Sequence, residues 1–210
     1  MLKIDHFVFA CGELEQGRAW MEDALGLPPV GAGKHARMGT HNALWRVGDA
    51  YLEVIAIDTS APGPDRPRWF GLDEASIRER TAVTPQMVTW VAATDNMDAS
   101  RAAAPEAGPA LYFTRDSLHW HLTVPDDGVP PMGGTFPALI EWPEGITSPA
   151  QSLPDQGIAL TAFTLAGPPS LPQALARIGA DHLPTRITES TIPALTISVE
   201  SPTRGTVTLG

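Results

Sequence analysis

A single cysteine, Cys11, in 210 residues rules out an internal disulfide. No pattern of a cysteine enzyme surrounds it, so it reads as a small buried residue near a strand end. Basic clusters are equally scarce. The chain has 14 Lys and Arg against 24 Asp and Glu, a formal charge of -10, and only Arg66 to Arg80 holds several arginines, mixed with acids. A duplex-binding face needs concentrated positive charge to displace counterions, so nucleic acid is excluded as the expected partner. No apolar run approaches the roughly 20 residues of a membrane span. Asp5 and His6 interrupt the apolar N-terminus, which makes it a poor signal peptide. A cytoplasmic protein without a membrane partner is the expectation. Walker-type, GxGxxG, GxSxG and HExxH motifs are also missing, so no nucleotide cofactor is expected.

What the chain does have is apolar residues (43%) with many turn formers, Pro 21 and Gly 19, which suits a sizeable core built from short elements. Leu2 to Ala10 reads as a strand, and Glu13 to Leu25 as an amphipathic helix ended by Gly26 and Pro28-Pro29. Strands fit Lys34–Met38, His41–Val47 and Ala50–Ile57, with Gly48-Asp49 as a turn. The order recurs: strand Met87–Ala93, helix Met97–Ala107 ending near Gly108, strands Ala110–Arg115, Leu118–Val124 and Thr135–Trp142. A weaker third copy has strand Ile158–Leu165, helix Leu171–Ile178, Gly179, and strands Thr185–Thr188, Ala194–Val199 and Thr206–Leu209. The glycines recur about 20 residues after each first strand, at a period that signals internal duplication.

The expected class is therefore α+β, with repeated βαβββ units forming cupped mixed sheets and helices on the outer face. The units span 1–57, 87–145 and 146–210, in one compact assembly, with a connector over 58–86. A lone unit cannot bury its sheet face, so the units must pair. The connector carries Trp69-Phe70 and a helix over Leu72–Arg80. It is either a lid or a surface crossover pinned by its two aromatics.

Strand parity nominates the chemistry. Glu53 sits inside an apolar strand, where an unpaired carboxylate is very costly, so it needs a metal, a histidine or a bound cation. His119 and His121, at i and i+2, share a face opposite Trp120 and Leu122. They either converge on a ligand or form an exposed polar face. His35, Arg37 and Asn42 form a further cluster that could line the cup, with Arg115 loosely matching Arg37 and His119 roughly matching Asn42. An arginine there could clamp a carboxylate in bidentate fashion. Trp142, of opposite parity to Glu141, is expected to pack under a helix.

Four segments in order, Asp5-His6-Phe7-Val8-Phe9, Gly39-Thr40-His41-Asn42-Ala43-Leu44, Tyr51-Leu52-Glu53-Val54-Ile55 and Phe136-Pro137-Ala138-Leu139-Ile140-Glu141-Trp142, together resemble the glyoxalase-like domain group of the vicinal oxygen chelate superfamily. The resemblance implies two units placed side by side around a small-molecule cup. It also implies a divalent metal (Zn, Ni, Mn or Fe) held by the first and last strands of each unit. His6 and Glu53 match the first unit's ligand positions, Glu141 matches Glu53 in the second, and Thr89 stands where a histidine is expected, leaving His121 to fill the vacancy. The implied function is a lyase, isomerase or dioxygenase acting on an oxygen-rich metabolite, with Glu53 and Glu141 moving the proton. The rivals are a metal-free module that sequesters a small ligand in the same cup, and a scaffold whose sheet edges form a homodimer.

Overall fold

The computed structural model of the chain describes residues 2–210. The first unit runs β1 (Lys3–Ala10), α1 (Leu14–Leu25), β2 (Gly31–His35), β3 (Thr40–Val47) and β4 (Ala50–Ile57). A connector with a single-turn helix at Trp69–Gly71 and α2 (Ala75–Val83) leads to the second unit. This runs β5 (Gln86–Ala93), α3 (Met97–Ala103), β6 (Ala110–Arg115), β7 (Leu118–Thr123) and β8 (Ala138–Glu141). After α4 (Pro149–Ser152) come β9 (Ala159–Gly167), α5 (Leu171–Arg177), β10 (Thr185–Glu189), β11 (Ala194–Ser201) and β12 (Gly205–Leu209). Among the described residues no helix is long and apolar enough to cross a membrane.

The α+β class holds, and the first two units share one topology. Their eight strands form a single sheet in the order β2-β3-β4-β1-β5-β8-β7-β6. In each unit the first strand lies parallel to the last, and the units meet where β1 pairs antiparallel with β5. The third copy keeps the order strand–helix–three strands but pairs differently. Its sheet is β10-β9-β11-β12, with β9 between β10 and β11, so it is not a third copy of the same sheet.

Alternation along β1 sorts the core into two layers. Phe7 and Phe9 join α1, α5 and the four-stranded sheet on the outer face, while Val8 and Ala10 face the cup. Phe163 on β9 is fully buried, with its ring edge-on to Phe7 (5.0 Å) and Trp90 (5.3 Å). The second sheet also completes α1. Gly26 adopts the left-handed cap conformation, and the hydroxyls of Ser201 and Thr203 each donate to Leu25 O at 2.6 Å, satisfying a helix-end carbonyl.

Strand β2 lies three residues before the expected Lys34–Met38. Its start, Gly31-Ala32-Gly33, has little intrinsic strand preference, and the pairing Gly31↔Leu44 to His35↔Thr40 imposes the conformation. The sheet curls until β2 approaches β6. Arg37 crosses this seam, donating to Tyr112 O and lying over the Phe113 ring. Arg115 crosses in the other direction and lies on Gly33, where a Cβ would come within 2.6 Å of its Cδ.

Phe163→Ala removes the ring that joins the two sheets. The variant is expected to lose about 3–5 kcal/mol in urea unfolding; a loss below about 1 kcal/mol would show that the four-stranded sheet adds little to the shared core.

Candidate functional site

The first unit brings five buried polar side chains together on the cup floor: Asp5, His6, His35, Asn42 and Glu53. In an unbroken strand Asp5 and His6 would face opposite ways. The pairing Ile4↔Ala92 followed by His6↔Val91 leaves Asp5 as an extra residue, a β-bulge that turns its carboxylate into the cup. There Asp5 Oδ1 accepts from His6 Nδ1 at 2.7 Å, and Oδ2 accepts from Trp142 Nε1 at 2.8 Å. Tyr51 stacks on the His6 ring at 4.5 Å.

On the other side of His6, Nε2 lies 3.5 Å from Glu53 Oε2, longer than a good hydrogen bond. Glu53 Oε1 accepts from Asn42 Nδ2 at 2.6 Å. That contact fixes the amide orientation and leaves Asn42 Oδ1 buried without a partner. His35 is placed between donors. Its Nε2 faces Asn42 Nδ2 (3.5 Å) and Arg115 Nη1 (3.4 Å), so Nδ1 carries the proton and donates to Thr40 Oγ1 at 3.0 Å.

These neighbours set different charge states on the two histidines. Burial pulls His6 down, but its contacts with Asp5 and Glu53 outweigh it and hold the ring up at about 9. Burial pushes Glu53 up, and the His6 contact overrides it, leaving the carboxyl at about 2. His35 has no such contact at hydrogen-bond distance; burial wins and lowers it to about 4. The floor therefore carries a charged His6 between two carboxylates, beside a neutral His35.

Strand register identifies what the second unit offers in return. Phe7 pairs with Trp90, so His6 corresponds to Thr89 and the bulged Asp5 to Val88. Val8 pairs with Glu53 as Val91 pairs with Ala138, so the counterpart of Glu53 is Ala138. By the same ladders Asn42 corresponds to Leu122 and His35 to Phe113. Every polar floor residue of the first unit thus faces a small or apolar counterpart in the second.

This register places the second-unit expectations on the outer face. His121 pairs with Glu141, and both point away from the cup, which Leu122 and Ile140 line. Glu141 Oε1 accepts from Met97 N at 2.9 Å, capping α3, and its Oε2 is 4.0 Å from His121 Nδ1. His119 lies on the same outer face, opposite Trp120, against exposed Tyr112. The match of Asn42 to His119 is three residues out. Trp142 packs in the cup, not under a helix. Arg37 stays at the seam; Arg115 reaches the pocket. Cys11 is buried over Gly17, and burial lifts its thiol to about 12.

A divalent ion held as the resemblance implies needs donors from both units. The residues present do not fit it. Thr89 and Ala138 occupy the second pair of positions, Glu53 Oε1 is engaged by Asn42, and the Arg115 cation stands beside His35. Among the described residues no group of three or more His, Cys, Asp or Glu side chains is placed to hold a metal. What the arrangement offers instead is a pocket of about 360 Å³, with His6, Glu53, Asn42, His35 and Arg115 on one side and Trp69, Phe70, Trp120 and Trp142 on the other. Asp5 was not legible as a site residue, because the bulge hides it. The tryptophans read as core or cup-wall residues, but which of them line the pocket was not legible.

The shifts fix the pH dependence of stability. His6 is raised from 6.5 to about 9, so its contribution is complete below pH 6.5 and is lost as pH rises through 9. His35 is lowered from 6.5 to about 4, so it contributes above pH 6.5 and loses that contribution as pH falls toward 4. Glu53 contributes above 4.5 and loses its share as pH falls through about 2. Melting temperature is expected to peak near pH 6.5, and His6→Gln should flatten the decline between 6.5 and about 9. An alkaline limb unchanged in this variant, followed by circular dichroism, would contradict the charged His6.

Comparison with known proteins bears on the fold. A hypothetical protein from Staphylococcus aureus superposes with a TM-score of 0.62 at 15% identity, covering 92% of this chain and 88% of that one, which shows a shared fold. Methylmalonyl-CoA epimerase from Mycobacterium tuberculosis aligns at 20% identity with a TM-score of 0.42 over 67% of this chain and 87% of that one. A methylmalonyl-CoA epimerase in complex with methylmalonyl-CoA and ammonium aligns at 16% identity with a TM-score of 0.45 over 71% of this chain and 99% of that one. Among curated proteins no sequence matches. The family model described as a glyoxalase-like domain matches residues 4–181, most of the chain and, from Ile4 onward, the whole eight-stranded sheet, and the protein belongs to that family.

Proposed function

We propose that this protein is a metal-independent isomerase or lyase that takes a small metabolite with vicinal oxygens into the polar half of the cup and moves a proton there. The observation that carries the reading is the buried Asp5–His6–Glu53 array opening on the pocket. Asp5 holds the His6 ring with Nδ1–H toward itself, which aims Nε2 at the cavity. An acid and a base then stand 3.5 Å apart in one place.

For a substrate with a C–H beside a carbonyl, Glu53 takes the proton as His6 turns its Nε2–H to the substrate oxygen. Losing that contact raises the carboxyl from its low resting value. The electron pair moves onto the carbonyl oxygen, and His6 Nε2–H stabilises the charge that develops there. Arg115 anchors a neighbouring carboxylate. The wall of Trp69, Trp120 and Trp142 keeps water away, which strengthens each of these contacts. The apolar second half favours one other reading, a module that holds its ligand without turning it over.

Proton transfer separates the two. With C3 to C8 2-oxo and 2-hydroxy acids in deuterated water, the wild type is expected to catalyse exchange at the carbon beside the carbonyl, followed by proton NMR. Glu53→Gln and His6→Gln should each lose about 100-fold or more, whereas Glu141→Gln, on the opposite face of the sheet, should keep it. Binding without exchange would favour the sequestering module, and no binding of any acid would refute the pocket reading. Protein loaded with Zn, Ni, Mn or Fe(II) and desalted is expected to retain no stoichiometric metal by elemental analysis. One ion per chain, lost in Glu53→Ala, would restore a metal-dependent reaction.

A further inference from the structure

The cup contains two cavities, and two connector side chains divide them. The polar pocket of about 360 Å³ lies over the first unit. A second cavity of about 270 Å³ lies over the second unit, with Thr89, Thr123, Val124, Ala138 and Pro130 among its lining and no charged side chain. Trp69 and Phe70 line both. The register explains the contrast, because Thr89 and Ala138 take the positions that His6 and Glu53 hold in the first unit.

The dividing wedge is held in an unfavourable state. Phe70 has φ 60°, a left-handed conformation that a non-glycine side chain rarely adopts. Trp69 Nε1 is buried with no hydrogen-bond partner. The turn is docked to the second unit through few polar contacts, Gly71 N to Gly128 O (2.8 Å) and, three residues before Trp69, Arg66 Nη2 to the carbonyls of Val124 (3.3 Å) and Pro125 (2.8 Å). Because Trp69 and Phe70 line both cavities, moving them aside joins the two into one longer space.

We propose that the ligand is an amphiphile whose oxygen-rich head occupies the polar pocket and whose apolar tail occupies the second cavity, with the Trp69–Phe70 wedge moving aside to join them. This rests on the polar pocket being the head site. The head carries a hydroxyl beside a carboxylate. Asn42 Oδ1, a buried acceptor without a partner, takes the hydroxyl proton donor. Arg115 takes the carboxylate. The tail is a short alkyl or flat hydrocarbon group, since the lining offers it no charge and few polar atoms.

Calorimetric titration of the full chain with 2-hydroxypropanoate and 2-hydroxyoctanoate tests this. The longer acid is expected to bind at least about tenfold tighter, a conservative return on five added methylenes. Ala138→Phe fills the second cavity and should abolish that difference while leaving 2-hydroxypropanoate affinity within about twofold; Ala138→Val, a milder change should the first fold poorly, should reduce it. The longer acid should also change tryptophan emission in the wild type and not in Trp69→Phe. Equal affinities for the two acids, or a chain-length preference that survives in both Ala138 variants, would overturn the proposal while leaving the head site intact. Failure of both acids to bind would overturn the head site itself, and the proposal with it.

Discussion

The antiparallel pairing of β1 with β5 is the constraint on which the rest of the structure depends. It joins two units that could not bury their own sheet faces, and it fixes which residues of one correspond to which of the other. Its two irregularities fall at corresponding positions, Asp5 and Val88. At the first, the extra residue turns a carboxylate into the cup; at the second, the same local kink presents an apolar side chain. One backbone device thus serves chemistry in one unit and packing in the other.

A buried network of this kind is not chosen for stability. Desolvating two carboxylates and an imidazolium costs several kcal/mol per ion before any attraction is counted, and removing one partner strands the rest. Asn42 Oδ1, left unpaired, adds to that cost. The outer layer offsets it. Phe7, Phe9, Trp90 and Phe163 are fully buried between the two sheets and their helices, so the cup floor rests on a continuous apolar slab. The four-stranded sheet, which supplies no residue to either cup cavity, contributes through this slab and through the hydroxyls that cap α1.

Most of the fold was legible in the sequence, because strand and helix periods and the glycines that end helices are local signals. The strands at 41–47, 50–57 and 87–93 are observed to within a residue. The expectations that failed depend on pairing, which is not local. Glu141 resembles Glu53 as a glutamate in the last, apolar strand of its unit, yet the ladder places Ala138 opposite Val91 and sends Glu141 to the helix side. Alternation alone would have put Asp5 outside the cup, and only the bulge brings it in. His35 and Asn42 were singled out by their closeness in sequence, and they do line the pocket, but their tautomer and amide orientation emerge only from their neighbours.

The seam between β2 and β6 has a consequence for how the chain behaves among its own copies. A strand at the end of a sheet presents unpaired amides and carbonyls that can template another chain. Here the two ends curl toward each other, and corresponding arginines reach across from both sides, Arg37 onto the Tyr112 carbonyl and Phe113 ring, Arg115 over Gly33. Each end is covered by a bulky side chain from the other. The curl that makes the cup therefore also covers the open ends of the eight-stranded sheet, with the same arginine, Arg115, lining the pocket on one side and lying on the β2 backbone on the other.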